Sequence, residues 1–292
     1  MPAAAVELSF SFELYPPRTP VGVAKLPAEV AQLAQLDPAY FSVTYGAGGS
    51  TQAGTYETLV QVAENTGVPV AAHLTCIGST RAGIAALLDQ YHACGIRRLV
   101  ALRGDLPATA AGSAAPGEFH HAADLVRFVR ATRGTDFKIE VAAYPEMHPQ
   151  ASDPDADFQH FCTKVRAGAD GAVTQYFYTA GSYFHFLERA RRTGIEVPIV
   201  PGIMPITNGA QLLRFSAACG ADVPRWIRLK LEHYGDDRES VKAFGLEVVT
   251  RLCNDLLDGG APGLHVYALN QAAPTLALWQ ALGLPVPVAN VA

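Results

Sequence analysis

The strongest chemical signal in this 292-residue chain is a charged pair at the end of an apolar run. In RRLVALRGDLP, residues 97 to 107, Leu99 to Leu102 leads straight into Arg103-Gly104-Asp105 and stops at Pro107. A run that is apolar throughout reads as a strand buried on both faces of a parallel sheet. Core packing gains nothing from an Arg and an Asp at its rim. Ligands of parallel α/β folds sit at the carboxyl ends of strands. For one strand alone, a solvated turn is the simpler alternative. The pattern recurs, however, with Glu13, Thr44 and Tyr45, His73, Tyr144 and His148, Gln175, and Tyr267 with Asn270 each closing another short apolar run.

These residue types favour some chemistries over others. No His-x-His follows the first strand, and His120-His121 sits beyond a loop at an expected helix start, so no metal is expected. Phosphate-bearing ligands use glycine-rich loops and cations, here Gly46 to Thr51, Arg103 and Lys164. Flat ligands use stacking surfaces, for which Tyr45, Tyr144, Tyr176, Phe177 and Tyr178 stand in the right loops. A cofactor with a planar ring and a diphosphate would use both sets. Asp157 and Lys164, seven apart with His160 between, share one helix face. A surface ion network is the alternative reading of that face. Gln211 and Phe215, four apart, point together from a later helix, with core packing of Phe215 as the alternative.

The elements that must position these groups alternate along the chain. Strands are expected at 7–12, 40–44, 68–74, 99–102, 138–143, 171–174, 197–200 (interrupted by Pro201) and 264–267. Helices are expected near 27–36, 54–66, 81–94, 119–132, 154–167, 183–192, 210–218, through most of 224–258 with a break at Gly235, and at 274–282. Eight short strands alternating with helices, without hairpins, specify an α/β fold of the (β/α)8 TIM barrel type, a single domain over 1–292. An open doubly wound sheet would show a glycine fingerprint or a second domain, and Thr51 stands where GxGxxG needs glycine.

Composition narrows the partners. At 49% hydrophobic residues the chain can bury a large core. A formal net charge of −5, without a dense basic run, argues against nucleic acid. Five scattered cysteines (76, 94, 162, 219 and 253) show no CxxC spacing and read as reduced thiols. There is no long apolar run and no basic, apolar leader at MPAAAVELSF, so a cytoplasmic protein without membrane contact is expected.

The strings SFELYPP (11 to 17), SVTYGAGGST (42 to 51), AHLTC (72 to 76), LVALRGDLP (99 to 107), VAAYPEMHP (141 to 149), KVRAGADGAVTQYFY (164 to 178), PIVPGIMPIT (198 to 207) and HVYALN (265 to 270) together resemble the bacterial methylenetetrahydrofolate reductases. The resemblance runs from near residue 9 to near 283 in a consistent order. It implies a barrel in which FAD takes hydride from NADH or NADPH and passes it to 5,10-methylenetetrahydrofolate, giving 5-methyltetrahydrofolate in one-carbon and methionine metabolism.

The resemblance also implies site residues. FAD would be held by Thr44, Tyr45, His73, Arg103, Gly104, Asp105, Tyr144, His148, Asp157 and Lys164, with His121 and Ala122 as weaker carry-overs across a loop of different length. Glu13 would be the general acid, Asp105 and Gln175 would face the pterin, and Gln211 and Phe215 would line the shared folate and nicotinamide site. A homo-oligomer is implied, and no C-terminal regulatory domain is expected. Opening of the folate five-membered ring needs an acid for the departing nitrogen, which leads to the expectation that Glu13 has a raised pKa. Asp105 would favour the resulting cation. Gln271 departs from the basic residue usual after the Leu-Asn pair, so a weaker or relocated contact to the folate glutamate tail is expected. Two alternatives stay open: a flavin-free reductase on the same barrel, and a non-catalytic pterin-binding or subunit-interaction protein.

Overall fold

The computed structural model describes residues 8–45, 52–104 and 117–286. Nine strand segments, all paired in parallel, form one sheet in the order β7-β6-β5-β4-β3-β2-β1-β9-β8. They are β1 (Ser9–Leu14), β2 (Tyr40–Val43), β3 (Val70–Thr75), β4 (Arg98–Leu102), β5 (Lys138–Ala143), β6 (Gly171–Thr174), β7 (Ile199–Val200), β8 (Gly202–Ile203) and β9 (Gly263–Tyr267). The helices around them are α1 (Pro20–Ala34), α2 (Gln52–Thr66), α3 (Arg81–Ala93), α4 (Ala122–Arg133), α5 (Pro154–Arg166), α6 (Ala180–Arg192), α7 (Gly209–Cys219), α8 (Arg225–Tyr234), α9 (Arg238–Asp258) and α10 (Ala272–Ala281).

β7 and β8 are two halves of one strand cut by Pro201, which has no N–H for the ladder. The first half pairs with β6 and the second with β9, so the interruption lies where the sheet closes on itself as a (β/α)8 barrel. The Pro201 carbonyl still accepts from His265 N at 3.0 Å. Gly202 is required there, since a Cβ would come within 2.1 Å of the Thr174 carbonyl oxygen.

Several boundaries moved relative to the sequence reading. β1 runs to Leu14 rather than ending before Glu13, because its two-residue alternation continues: Phe12 and Leu14 are buried on one side while Ser11 and Glu13 lie on the other. α1 starts seven residues earlier than expected, at Pro20, where a missing N–H costs nothing, and Thr19 caps it by accepting from Gly22 N at 3.1 Å. α4 starts at Ala122, with the His121 N–H donating to Asp124 at 3.0 Å.

The alternation divides the interior into two layers of opposite character. Phe12, Leu14, Phe41, Leu74, Leu99 and Ile139 belong to one large apolar cluster together with buried helix residues. Trp279 of α10 packs edge-on against Phe10 and Phe12 there, with ring centroids 4.6 and 6.0 Å away. The buried polar residues Ser11, Ser42, His73, Glu140 and His265 come instead from the strand positions of opposite phase, with only a small apolar cluster of Tyr40, Ala71 and Val100 beside them.

Candidate active site

The polar phase of the strands converges on Glu13. His73 of β3 brings Nε2 to 3.2 Å from Glu13 Oε2, and His265 of β9 brings its Nε2 to 3.6 Å from the same oxygen. The carboxylate is 16% exposed, while His265 is 1% exposed. His73 Nε2 is close in distance but lacks the alignment of a hydrogen bond, leaving a buried polar atom unpartnered. Ser11 Oγ lies 2.7 Å from His265 Nδ1, and Ser42 Oγ lies 3.5 Å from Nε2. Tyr267 closes one side, its hydroxyl donating to the Thr174 carbonyl at 2.8 Å.

This environment reverses the expectation of a raised Glu13 pKa. Burial alone pushes the carboxyl up, but the His73 charge and the attraction of the His265 ring outweigh it and hold Glu13 down at about 2. In the unliganded protein Glu13 is a carboxylate. The sequence reading weighed aromatic and proline cover and overlooked two histidines brought in from distant strands.

A second group lines the carboxyl ends of β2 to β5. Thr44 and Tyr45 follow β2, where Thr44 N donates to the Leu14 carbonyl at 3.0 Å and Tyr45 is half-buried. Arg103 and Gly104 follow β4, with the guanidinium donating to the Gln150 side chain and, at 3.3 Å, to the Gly104 carbonyl. Gly104 has φ 87°, and a Cβ there would sit 2.9 Å from Ile77, so only glycine fits. After β5, the Tyr144 and His148 rings meet edge-on at 4.6 Å. Asp157 accepts from His148 N at 2.9 Å, and Lys164 donates to the Ala142 carbonyl at 2.6 Å. Asp157 and Lys164 thus serve the β5 end rather than forming a surface ion network. Burial, partly offset by Asp157, brings the Lys164 ammonium down to about 8. His121 stacks on His160 of α5 at 6.2 Å, and Ala122 is buried behind it.

Other expected residues divide. Gln175 is half-buried and bonds its own loop through Tyr176 N at 3.0 Å. It lines a narrow crevice with Tyr144 and Tyr176. Gln211 is half-buried on α7 and Phe215 is 41% exposed, so Phe215 is not core packing. Tyr176, Phe177 and Tyr178 are buried and offer no stacking surface; the Phe177 ring lies nearly parallel to Tyr183, and Tyr178 donates to the Met204 carbonyl at 3.2 Å. Asn270 is a rim staple, its amide exchanging hydrogen bonds of 3.0 and 2.8 Å with the Tyr15 backbone. Asp105 and the Gly46 to Thr51 loop lie outside the described residues. A larger cavity of about 520 Å³ opens beside Tyr45 between α2 and α3, away from Glu13; the convergence of polar groups, not cavity size, locates the site. Among the described residues no cluster of three or more His, Cys, Asp or Glu could hold a metal ion.

The strand-end reading missed Ser11, Ser42, Tyr40, Arg98, Glu140 and His265, which lie inside strands. The alternation Ser9-Phe10-Ser11-Phe12-Glu13-Leu14 was the available signal, since it puts every polar residue of β1 on one face.

Comparison with known proteins adds an independent line. The family profile described as methylenetetrahydrofolate reductase matches residues 2–283. The 5,10-methylenetetrahydrofolate reductase of Salmonella typhimurium is 38% identical, covering 95% of this chain and 92% of that protein. The Escherichia coli enzyme of the same name is 36% identical over the same shares. Arabidopsis thaliana methylenetetrahydrofolate reductase (NADH) 1 is 36% identical, with the match covering 95% of this chain and 49% of the plant protein. Among solved structures, an uncharacterised Clostridium thermocellum protein that binds two copies of 5-methyl-5,6,7,8-tetrahydrofolic acid superposes with a TM-score of 0.64 over 94% of this chain and 93% of that one; at 15% identity it speaks for the fold alone.

Proposed function

The chain belongs to the methylenetetrahydrofolate reductase family, and from that premise we propose that it reduces 5,10-methylenetetrahydrofolate to 5-methyltetrahydrofolate by a ping-pong reaction using FAD and NADH or NADPH. The observation that carries this reading is the Glu13 carboxylate, set between two buried histidines inside the barrel of a chain with this family match.

The residues fit the flavin. Arg103 and Lys164 supply cations for a diphosphate, Tyr45 and Tyr144 supply flat faces, and Gly104 permits a close backbone approach. The unpartnered Nε2 of His73 is a polar atom that a bound group would satisfy. His121, Ala122, Thr44, His148 and Asp157 complete the proposed cofactor set around the same strand ends. FAD, when bound, would supply two-electron chemistry, accepting hydride from the nicotinamide and donating it to the folate one-carbon unit.

On the protein side, Glu13, a carboxylate in the unliganded protein, takes up a proton from solvent as the folate displaces water from its surroundings and delivers it to the nitrogen that leaves when the folate ring opens. Asp105, one residue beyond Gly104, favours the iminium cation so produced, and Gln175 faces the pterin. Gln211 and Phe215 border the shared folate and nicotinamide site. No helix among the described residues is long and apolar enough to cross a membrane, and we place the enzyme in the cytoplasm as a homo-oligomer, checked by light scattering.

A visible spectrum of the purified protein, before and after each nicotinamide, tests the reading. A flavin band bleached by NADH or NADPH and restored by 5,10-methylenetetrahydrofolate is expected. A colourless protein that takes up no added FAD but turns over folate with a nicotinamide would replace it with direct hydride transfer, and one that binds pterin without turnover would replace it with a binding protein.

A further inference from the structure

Glu146 joins three elements and has no part in the chemistry derived above. It belongs to the loop between β5 and α5 that carries Tyr144 and His148. Its Oε2 accepts from Asp222 N, just past the end of α7, at 2.7 Å, and its Oε1 accepts from the Ser182 hydroxyl in the first turn of α6 at 3.5 Å. The side chain is half-buried, and burial raises its pKa although both hydrogen bonds pull the other way. Taking a carboxylate out of water is costly, so the position is tolerable only through these bonds.

Further contacts close the same seam. Gly220, at φ 77°, lies so near the loop that a Cβ would come 3.1 Å from the Met147 carbonyl oxygen and 3.1 Å from Pro149. Met147 itself takes φ 149°, a strained value for a residue with a side chain, which persists only where the surroundings over-determine it. From the loop after β6, the Tyr176 hydroxyl lies 3.1 Å from Ser216 Oγ inside α7. Ser216 and Leu212 form the buried side of α7, whereas Gln211 and Phe215 on the same helix are half-buried and exposed. The crevice lined by Tyr144, Glu146, Gln175 and Gly220 therefore runs along the junction between the cofactor loop and α7.

We propose that Glu146 is a positioning residue that ties α7, and with it Gln211 and Phe215, to the loop of Tyr144 and His148, so that a filled cofactor site orders the folate and nicotinamide side. The proposal rests on the roles proposed above for those residues. Glu146 touches neither ligand and acts through the Asp222 N–H.

Hydrogen–deuterium exchange with and without added FAD tests the tie. In the wild type FAD is expected to slow exchange both in 144–149 and in 209–222. In Glu146→Ala the protection is expected to stay in the loop and vanish from α7. Glu146→Gln, which keeps a carbonyl oxygen for the Asp222 N–H, is expected to restore it. Protection of the loop alone in the wild type, or of both segments in Glu146→Ala, overturns the tie and leaves the flavin reading standing. Protection of neither segment means that FAD does not sit at this loop, so the flavin reading fails and the tie with it. Kinetics separate positioning from a mere staple of the fold. In flavin-loaded Glu146→Ala, the folate and nicotinamide concentrations that half-saturate the two half-reactions are expected to rise about 10-fold or more, the worth of one hydrogen bond to a charged group, with limiting rates nearly unchanged. Unchanged half-saturation with a lower Tm means a staple alone and overturns the proposal. If Glu146→Ala does not fold, Gly220→Ala, which forces a Cβ against the Met147 carbonyl, is expected to give the same rise, and unaltered half-saturation there overturns it.

Discussion

Phe12 and Glu13 are neighbours in β1 and face opposite worlds. Phe12 is fully buried in the apolar layer between strands and helices, 6.0 Å from Trp279 and 6.0 Å from Phe41. Glu13 points into a lumen whose buried side chains are hydroxyls, imidazoles and an ion pair. The outer layer holds the barrel together by removing apolar area from water. The inner layer adds little by burial, because its polar groups exchange hydrogen bonds with water for hydrogen bonds with each other. The two-residue period of one strand thus separates stability from chemistry.

The sharpest way to break this division is to change each face alone. Glu13→Gln is expected to lower steady-state folate reduction by about 10²- to 10⁴-fold, the usual worth of a general acid, in a protein that still folds but loses some Tm at neutral pH as the attraction between carboxylate and histidines goes. A variant that keeps full turnover would remove Glu13 from the chemistry. Phe12→Ala is expected to cost about 3–5 kcal/mol in denaturant unfolding, with kcat per folded molecule preserved. Stability within 1 kcal/mol of wild type, roughly the cost of an ordinary substitution, would mean the outer layer is not where the stability resides.

A pH titration sharpens the comparison further. Glu13 drops from an ordinary carboxyl value of 4.5 when unfolded to about 2 when folded, so its stabilising contribution is fully present above about pH 4.5. It is lost as pH falls from there through about 2. Acid unfolding monitored by circular dichroism should therefore show a steeper loss between those limits in the wild type than in Glu13→Gln, and superimposable curves would deny the histidine clamp. Lys164 has the opposite sign of contribution. Its folded value of about 8 lies below the ordinary 10.5, so stability rises as pH climbs through that interval, and Lys164→Met should flatten the rise. The smallest effect is expected at the rim, where Gln271 is exposed at the start of α10. Gln271→Arg should tighten folate binding only a few-fold, as an exposed ion pair would, and an unchanged Kd would show that the glutamate tail is held elsewhere.

The same contrast explains what was legible in the sequence. Helices and strands announced themselves through apolar runs, and β5 and β6 match their expected limits because Lys138 and Gly171 mark sharp changes from turn to buried strand. The break at Pro201 was visible for the same reason. Arg103, Tyr144, His148 and Lys164, proposed here for the cofactor, could be singled out because they stand at strand ends or in distinctive strings. Ser11 and His265 could not be paired by eye, since 254 residues separate two atoms that lie 2.7 Å apart. Nor could the state of Glu13 be read from its neighbours in sequence. Its proton affinity is set by His73 and His265, which arrive from strands on either flank of the barrel. Tyr176 to Tyr178 misled because aromatic residues after a strand serve packing as readily as stacking.

The most direct test of the division is to follow the two half-reactions separately in Glu13→Gln under anaerobic conditions. Flavin reduction by the preferred nicotinamide should proceed at the wild-type rate, while reoxidation by 5,10-methylenetetrahydrofolate should fall by about 10²-fold or more. Wild-type reoxidation in that variant, or an equal fall in both steps, would contradict the assignment of the inner face of β1 to proton delivery.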